Sequence, residues 1–348
     1  TSRADQRTQR TAQVARTHGP VFRLTTRLTR WSTVVCLILK PSNRKTRGPK
    51  VVPGINLVSA GAGSNGLIEA VIIDALRKEV ELLRVGGSSA GAINAVGCAL
   101  KLDNLTGFWR QFLTTTGGLE DYHLPGPLKP LGVLKSAPRC GMMAGNKIRQ
   151  ALVGVAGGKR MSDLHLTTRV VVGNLSKRKT QVVDSQLGLI EIEPEGIRQV
   201  DALKRHALVV DALRCSLAVP FVIDAAQLVP EEKDLYTDGG TGANAPSGLW
   251  DDHTCPTVVI AFKNSERIQP VKSLKDFALA IFDIRQDSSN AAMASRSRGK
   301  VFKIEIESGG DSLDFSLTEK EADRRIAEGI KMVRRLNLKP ILESKCTG

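Results

Sequence analysis

Residues 82–95 read LLRVGGSSAGAINA. The stretch begins in an apolar strand (Val80–Val85) and ends in a helix (Ala90–Leu100) that is apolar almost all round. Between them, Gly87-Ser88-Ser89-Ala90-Gly91 is a G-x-S-x-G turn in the setting that gives this motif meaning, a strand feeding a helix. The two glycines leave room for a strained backbone at Ser89, and the sharp turn lifts its hydroxyl above the strand ends. The first N–H groups of the following helix, with the positive end of its dipole, face the same spot. An alkoxide or tetrahedral oxyanion is stabilised there, which makes Ser89 the candidate nucleophile.

Just upstream, residues 59–66 read SAGAGSNG, and Gly61, Gly63 and Gly66 form G-x-G-x-x-G. The loop follows an apolar run, Ile55–Val58, and precedes a helical period over Leu67–Lys78. That is also the layout of a dinucleotide-binding turn. A nucleotide needs an acid at the end of the second strand to hold the ribose, and Glu79 and Glu81 lie at its start instead. Beside a serine elbow the loop has another use. The N–H groups of Gly61, Ala62 and Gly63, together with that of Ala90, are candidates for an oxyanion hole.

Strand, helix, strand, helix predicts a parallel sheet with right-handed crossovers. Further strands are expected at Thr168–Val172, Gln181–Asp184, Thr257–Phe262 and Val301–Ile306, and helices at Val209–Ser216 and Leu274–Arg285. Thr318-x-x-Glu321 is a capping box that opens a last helix, with Ala322, Ile326, Ile330 and Val333 on one face. The pattern is one α/β domain over 51–348, with its core motifs in 55–262 and C-terminal helices in 270–340.

Ahead of that domain, residues 1–50 hold 12 Lys and Arg against one acid, Asp5, so most of the net +15 sits in an arm. Its Thr, Ser and Arg content predicts disorder, and PSNRKTRGPK (41–50) reads as a linker. Such a charge field suits anionic partners. Trp31–Leu39 is too short to span a bilayer. The six cysteines (36, 98, 140, 215, 255 and 346) contain no C-x-x-C pair, which predicts reduced thiols, a cytosol-like compartment and no metal site.

A Ser–Asp–His order would favour His253 as base, but His253 precedes Thr257–Phe262, at the end of the strand away from a parallel-sheet site. The better acid lies in Thr237-Asp238-Gly239-Gly240, which follows Ser216-x-x-x-Pro220 and precedes Asn244-x-Pro246.

Taken together, the glycine loop (58–66), the elbow extended through Ala95, the segment Ala212–Pro220 and Asp238-Gly239-Gly240 resemble, in order, the blocks of patatin-like phospholipases. The resemblance implies a three-layer α/β/α fold with a mainly parallel central sheet. It implies a phospholipase A-type lipid acyl hydrolase, a serine esterase without cofactor or metal. Carried over, Ser89 is the nucleophile and Asp238 the general base of a dyad without histidine, with Gly66, Gly87, Gly91, Gly239 and Gly240 supporting the turns. A free Asp titrates near 3.9, so the role requires a buried carboxyl of raised pKa. Three positions depart from the family pattern: Ala62 replaces a glycine and could crowd the oxyanion site, Asn65 stands where Lys or Arg is usual, and Asn174 stands where Asp is common. The implied substrate is a phospholipid or other acyl-ester lipid, with no nucleic acid partner and the need for a protein activator left open. Peripheral contact with anionic membranes is expected through the arm and through Arg324, Arg325, Lys331, Arg334 and Arg335. Two other readings stay open: a lipid-binding relative made inactive by Ala62, and a nucleotide-binding α/β enzyme.

Overall fold

The computed structural model describes residues 52–115, 118–124, 141–250, 254–263, 299–307, 313–344 and 346. The arm, His253 and the expected helix Leu274–Arg285 lie outside the described residues. Strand β1 (Gly54–Ser59) leads through a 3-10 turn (Gly63–Asn65) into helix α1 (Gly66–Leu76), and β2 (Glu81–Ser88) leads into α2 (Ala90–Ala99). Then come α3 (Leu105–Leu113), β3 (Gly141–Met143), α4 (Asn146–Ala156), and the run β4 (Thr167–Asn174), β5 (Lys179–Asp184), β6 (Gly188–Glu193) and β7 (Gly196–Asp201). They are followed by α5 (Val209–Ser216), β8 (Phe221–Ile223), β9 (Tyr236–Asp238) and α6 (Gly240–Ala243). Finally come β10 (Thr257–Phe262), β11 (Val301–Ile306), α7 (Glu319–Arg335) and α8 (Lys339–Leu342).

The main sheet has the order β11-β10-β1-β2-β4-β5-β6-β7. It is parallel from β11 to β4, as the alternating strand–helix pattern predicts. From β4 to β7 it becomes an antiparallel meander. The cause is local: residues 175–178 and 185–187 are too few for a crossover, so the chain can only turn back. Both faces are covered. Ile55, Leu57, Val85, Val170, Val172, Val258 and Ile260 pack on one side in the core that includes Leu67, Ile72 and Trp109. Their alternates Val58, Val171, Val182, Ile190, Val259 and Ala261 face Leu249 and Trp250 on the other. Residues of alternating parity fill two separate cores, which is why the central strands read as unbroken apolar runs. Each fully buried side chain such as Ile72 contributes about 2 kcal/mol.

Helix α7 opens on the expected cap, with Thr318 Oγ1 accepting from the Glu321 N–H at 3.2 Å. Its buried stripe is Ala322, Arg325, Ile326 and Gly329, with Ile330 and Val333 half-buried. Gly329 lets the helix lie close against α1, because a Cβ there would meet Val71 Cβ at 2.8 Å. Arg110 of α3 ties the start of α7 by ion pairs to Asp323 (2.9 Å) and Glu319. The basic face expected for membrane contact is therefore smaller than the sequence suggests. Arg325 is 2 % exposed, and Arg324 is held by Glu321 and Glu328. No helix among the described residues is long and apolar enough to cross a membrane.

The expectation of reduced thiols fails at one pair. Cys255 and Cys346 are bonded, joining the approach to β10 to the C-terminal segment across 91 residues. A separation of that length leaves no spacing pattern to read. Cys98 and Cys215 are free and buried.

Candidate active site

Strand β2 runs beside the first half of β4 and ends with Ser88 opposite Val171. The chain then turns sharply, and Ser89 takes φ 52° and ψ −123°, a conformation that costs a non-glycine residue of order 1–3 kcal/mol. The strain is enforced by packing. A Cβ on Gly91 would lie 2.0 Å from the Ser59 carbonyl oxygen, and one on Gly87 would lie 2.5 Å from the Gly91 backbone. Ser216, at the end of α5, holds the turn from the other side. Its hydroxyl accepts from the Ser89 N–H (2.9 Å) and donates to the Val171 carbonyl (2.7 Å). Ser216 belonged to a recognised segment of the sequence, but nothing in that segment disclosed this bond. The Ala90 N–H opens α2 directly after Ser89.

Where β2 leaves β4, β9 takes its place on the same edge, and Asp238 pairs with Val172, the residue next to the partner of Ser88. Two segments far apart in sequence thus bring Ser88, the residue before Ser89, and Asp238 to consecutive steps of one strand. The Asp238 N–H donates to the Ala218 carbonyl at 2.9 Å. Its Oδ1 accepts from the Gly240 N–H at 2.6 Å, while Oδ2 is buried and lacks a well-formed hydrogen bond. Burial pushes the carboxyl up to about 7, opposed by the nearby Ser89 side chain and the Gly240 N–H. A Cβ on Gly239 would sit 2.2 Å from the Val171 carbonyl oxygen, so the Asp-Gly-Gly turn fits only without one.

In the glycine loop, the Gly61 N–H donates to the Asn244 carbonyl at 3.0 Å. That bond takes Gly61 out of the expected donor set and leaves Ala62 and Gly63. Gly61 is required for room instead, since a Cβ would lie 2.2 Å from Asn244 Oδ1. The Ala62 methyl packs into the apolar core, so the crowding expected from it does not arise from an exposed Cβ. The next two residues are held from a distance: Arg325 Nη1 donates to Ser64 Oγ (2.7 Å) and Asn65 Oδ1 (2.9 Å). A cation usual within the loop is met here from helix α7. The third departure is structural, with Asn174 Nδ2 donating to Gln181 Oε1 (2.9 Å) and Asp234 Oδ2 (3.1 Å).

Beneath both turns lies a buried polar group that periodicity did not single out. Glu69 accepts from Ser59 Oγ (2.6 Å) and Asn94 Nδ2 (3.1 Å), while Asn94 accepts from the Trp109 indole (2.6 Å) and donates to the Gly66 carbonyl (3.2 Å). Burial raises Glu69 to about 8, against hydrogen bonds from Ser59 and Asn94, so at pH 7 it is mostly neutral. Among the histidines, His123 pairs with Asp224 (3.0 Å) and His206 lies by Ser162 (3.5 Å), so neither bonds Ser89 or Asp238. Among the described residues no group of three His, Cys, Asp or Glu could hold a metal ion.

A family model described as patatin-like phospholipase matches residues 57–248. A curated protein of Acanthamoeba polyphaga mimivirus, described as uncharacterized, is 28% identical over 141 residues, which is 37% of this chain and 46% of that protein. The chain thus spans about half the length of the curated relative it matches. Among solved structures, VipD from Legionella pneumophila is 14% identical with a TM-score of 0.42, over 86% of this chain and 72% of VipD. The type III effector protein ExoU, which comes from Pseudomonas aeruginosa, is 16% identical with a TM-score of 0.34, over 81% of this chain and 52% of ExoU.

Proposed function

The chain belongs to the patatin-like phospholipase family, and from that premise we propose that it cleaves fatty-acyl esters of phospholipids through Ser89 and Asp238. Asp238 takes the hydroxyl proton as Ser89 Oγ adds to the ester carbonyl. The oxyanion is met by the N–H groups of Ala62, Gly63 and Ala90. Collapse expels the lysolipid alkoxide, which takes the proton from Asp238, and leaves Ser89 acylated. Asp238 then removes a proton from water. The hydroxide adds to the acyl-enzyme, and fatty acid and free Ser89 are released with the proton returned.

One observation supports this reading most: a serine of strained backbone directly follows Ser88, which pairs with β4 one step from the buried carboxyl of Asp238. A carboxyl raised to about 7 has a proton affinity suited to general-base work near neutral pH, which an ordinary aspartate lacks. An acyl chain lying over the site would keep water from Asp238 and preserve that pKa. The exposed Lys331, Arg334 and Arg335 at the end of α7 supply positive charge for an anionic surface.

The test is fatty-acid release from phosphatidylcholine vesicles, with and without phosphatidylserine, by wild type, Ser89→Ala and Asp238→Asn. Wild type is expected to be active, with each variant lower in kcat by on the order of 10⁴-fold or more. Full activity in a variant removes the dyad. No release by wild type from either vesicle removes the hydrolase reading.

A further inference from the structure

Arg325 is among the largest fully buried side chains of the molecule. A buried guanidinium is costly unless its N–H groups are met, and removing its partners leaves an uncompensated charge. Here Nε donates to Glu321 Oε1 at 3.2 Å, and Nη1 holds Ser64 Oγ and Asn65 Oδ1 at 2.7 and 2.9 Å. Ser64 and Asn65 are the two residues between Gly63 and Gly66. The octet SAGAGSNG contains no cation of its own, and four of its residues have side chains no larger than a methyl between Ala60 and Gly63. A segment so small is conformationally permissive, and fixing it requires something from outside.

We propose that Arg325 is the positioning residue of the glycine loop, so that helix α7, which lies beyond the segment matched by the family model, completes the active site. The inference rests on the hydrolase reading for its kinetic consequence but not for its structural one. Gripping Ser64 and Asn65 fixes the 3-10 turn Gly63–Asn65. The Asn65 N–H then holds the Ala62 carbonyl at 3.0 Å, which extends the grip to the preceding residue. The residues fixed in this way include Ala62 and Gly63, whose N–H groups the hydrolase reading assigns to the oxyanion. Helix α7 is itself held at two points. Arg110 anchors its start, and Gly329 seats it against Val71 of α1, the helix that the loop enters. The planar fork matters as well as the charge, because Nε bonds Glu321 of its own helix while Nη1 reaches both loop residues.

The experiment compares the full chain with its Arg325→Ala and Arg325→Lys variants by amide hydrogen exchange and by ester hydrolysis. Arg325→Ala is expected to speed exchange over 61–66 while β10 keeps its protection. It should lower kcat by about 10- to 100-fold with KM changed less than about threefold. Millimolar guanidinium, but not sodium chloride at equal ionic strength, should restore part of that kcat. Unchanged exchange over 61–66, or kcat within twofold of wild type, overturns the proposal. Equal loss of protection throughout α1 and α7 also overturns it, because the role would then be general packing. If Arg325→Ala does not fold, Arg325→Lys decides: kcat reduced at retained Tm supports the fork, and wild-type kcat overturns it. If wild type hydrolyses no ester, the hydrolase reading fails by itself, and exchange over 61–66 alone decides whether Arg325 positions the loop.

Discussion

At the elbow, a Cβ on Gly91 would lie 2.0 Å from the Ser59 carbonyl oxygen, whereas at the loop a Cβ on Gly61 or Gly66 would meet side chains, Asn244 Oδ1 at 2.2 Å and the Trp109 ring at 2.6 Å. Both turns are glycine-rich and they sit side by side, yet their glycines face different walls. A backbone oxygen of β1 cannot retreat without moving the strand that carries it. An amide or an indole can rotate away at the expense of its own contacts. The elbow's Gly91 is therefore confined by neighbouring backbone, and the loop's Gly61 and Gly66 by side chains.

That difference can be broken experimentally, beginning with the largest effect. Gly91→Ala should cost on the order of 3–5 kcal/mol, read from the denaturant midpoint at unchanged m, because the clash has no soft partner. Gly66→Ala should cost only about 2 kcal/mol, and Trp109→Phe in the same chain should recover part of it, giving a measurable coupling. Equal costs for the two glycine variants would erase the distinction between the walls. A smaller effect follows from the raised Asp238 carboxyl. It holds its proton below pH about 7, so kcat/KM should fall about tenfold per pH unit on the acid side of that value. A flat profile between pH 5 and 8 would deny Asp238 the role of base.

The smallest effect concerns Glu69, which touches both turns through Ser59 and Asn94. Its folded pKa of about 8 lies above the ordinary 4.5, as that of Asp238, about 7, lies above 3.8. The folded protein holds these protons where the unfolded chain releases them. Stability present below pH about 4 is therefore lost as pH rises towards 8. Glu69→Gln removes one such group, so the Tm difference between this variant and wild type should move in favour of the variant as pH rises from about 4 to 8.5. A Tm advantage that does not change with pH would assign the effect to packing.

The same division explains what could be read from the sequence. The elbow, the strand before it and the helix after it are encoded within a dozen neighbouring residues, and Val209–Ser216, Thr257–Phe262 and Val301–Ile306 fall where apolar runs place them. The Asp-Gly-Gly turn was visible because Asp238 needs glycines beside it. The loop's supports were not visible. Arg325 lies 260 residues from Asn65 and reads as one more charge on an amphipathic helix, so its burial is decided by tertiary packing alone. The Gly61 N–H is met by the backbone carbonyl of Asn244, which carries no residue-specific signal. Glu69 interrupts an apolar helix, and the absence of a charged partner in sequence gave no hint that it is neutral. The β6–β7 hairpin was missed because its outer residues, Arg198 and Gln199, are exposed and polar, leaving too little alternation to detect.

The shared edge of β4 has one more consequence. Because β2 and β9 both dock on that edge, the separation of serine and carboxyl is quantised in residues and owes nothing to the length of chain between them. Extra residues in a surface turn between the two strands would leave the spacing untouched. A slip of β9 by a single residue would send Asp238 to the opposite side of the sheet and bring Thr237 or Gly239 in its place. The serine–carboxyl spacing is therefore digital: it is either in register or wrong by a whole residue, with no intermediate alignment.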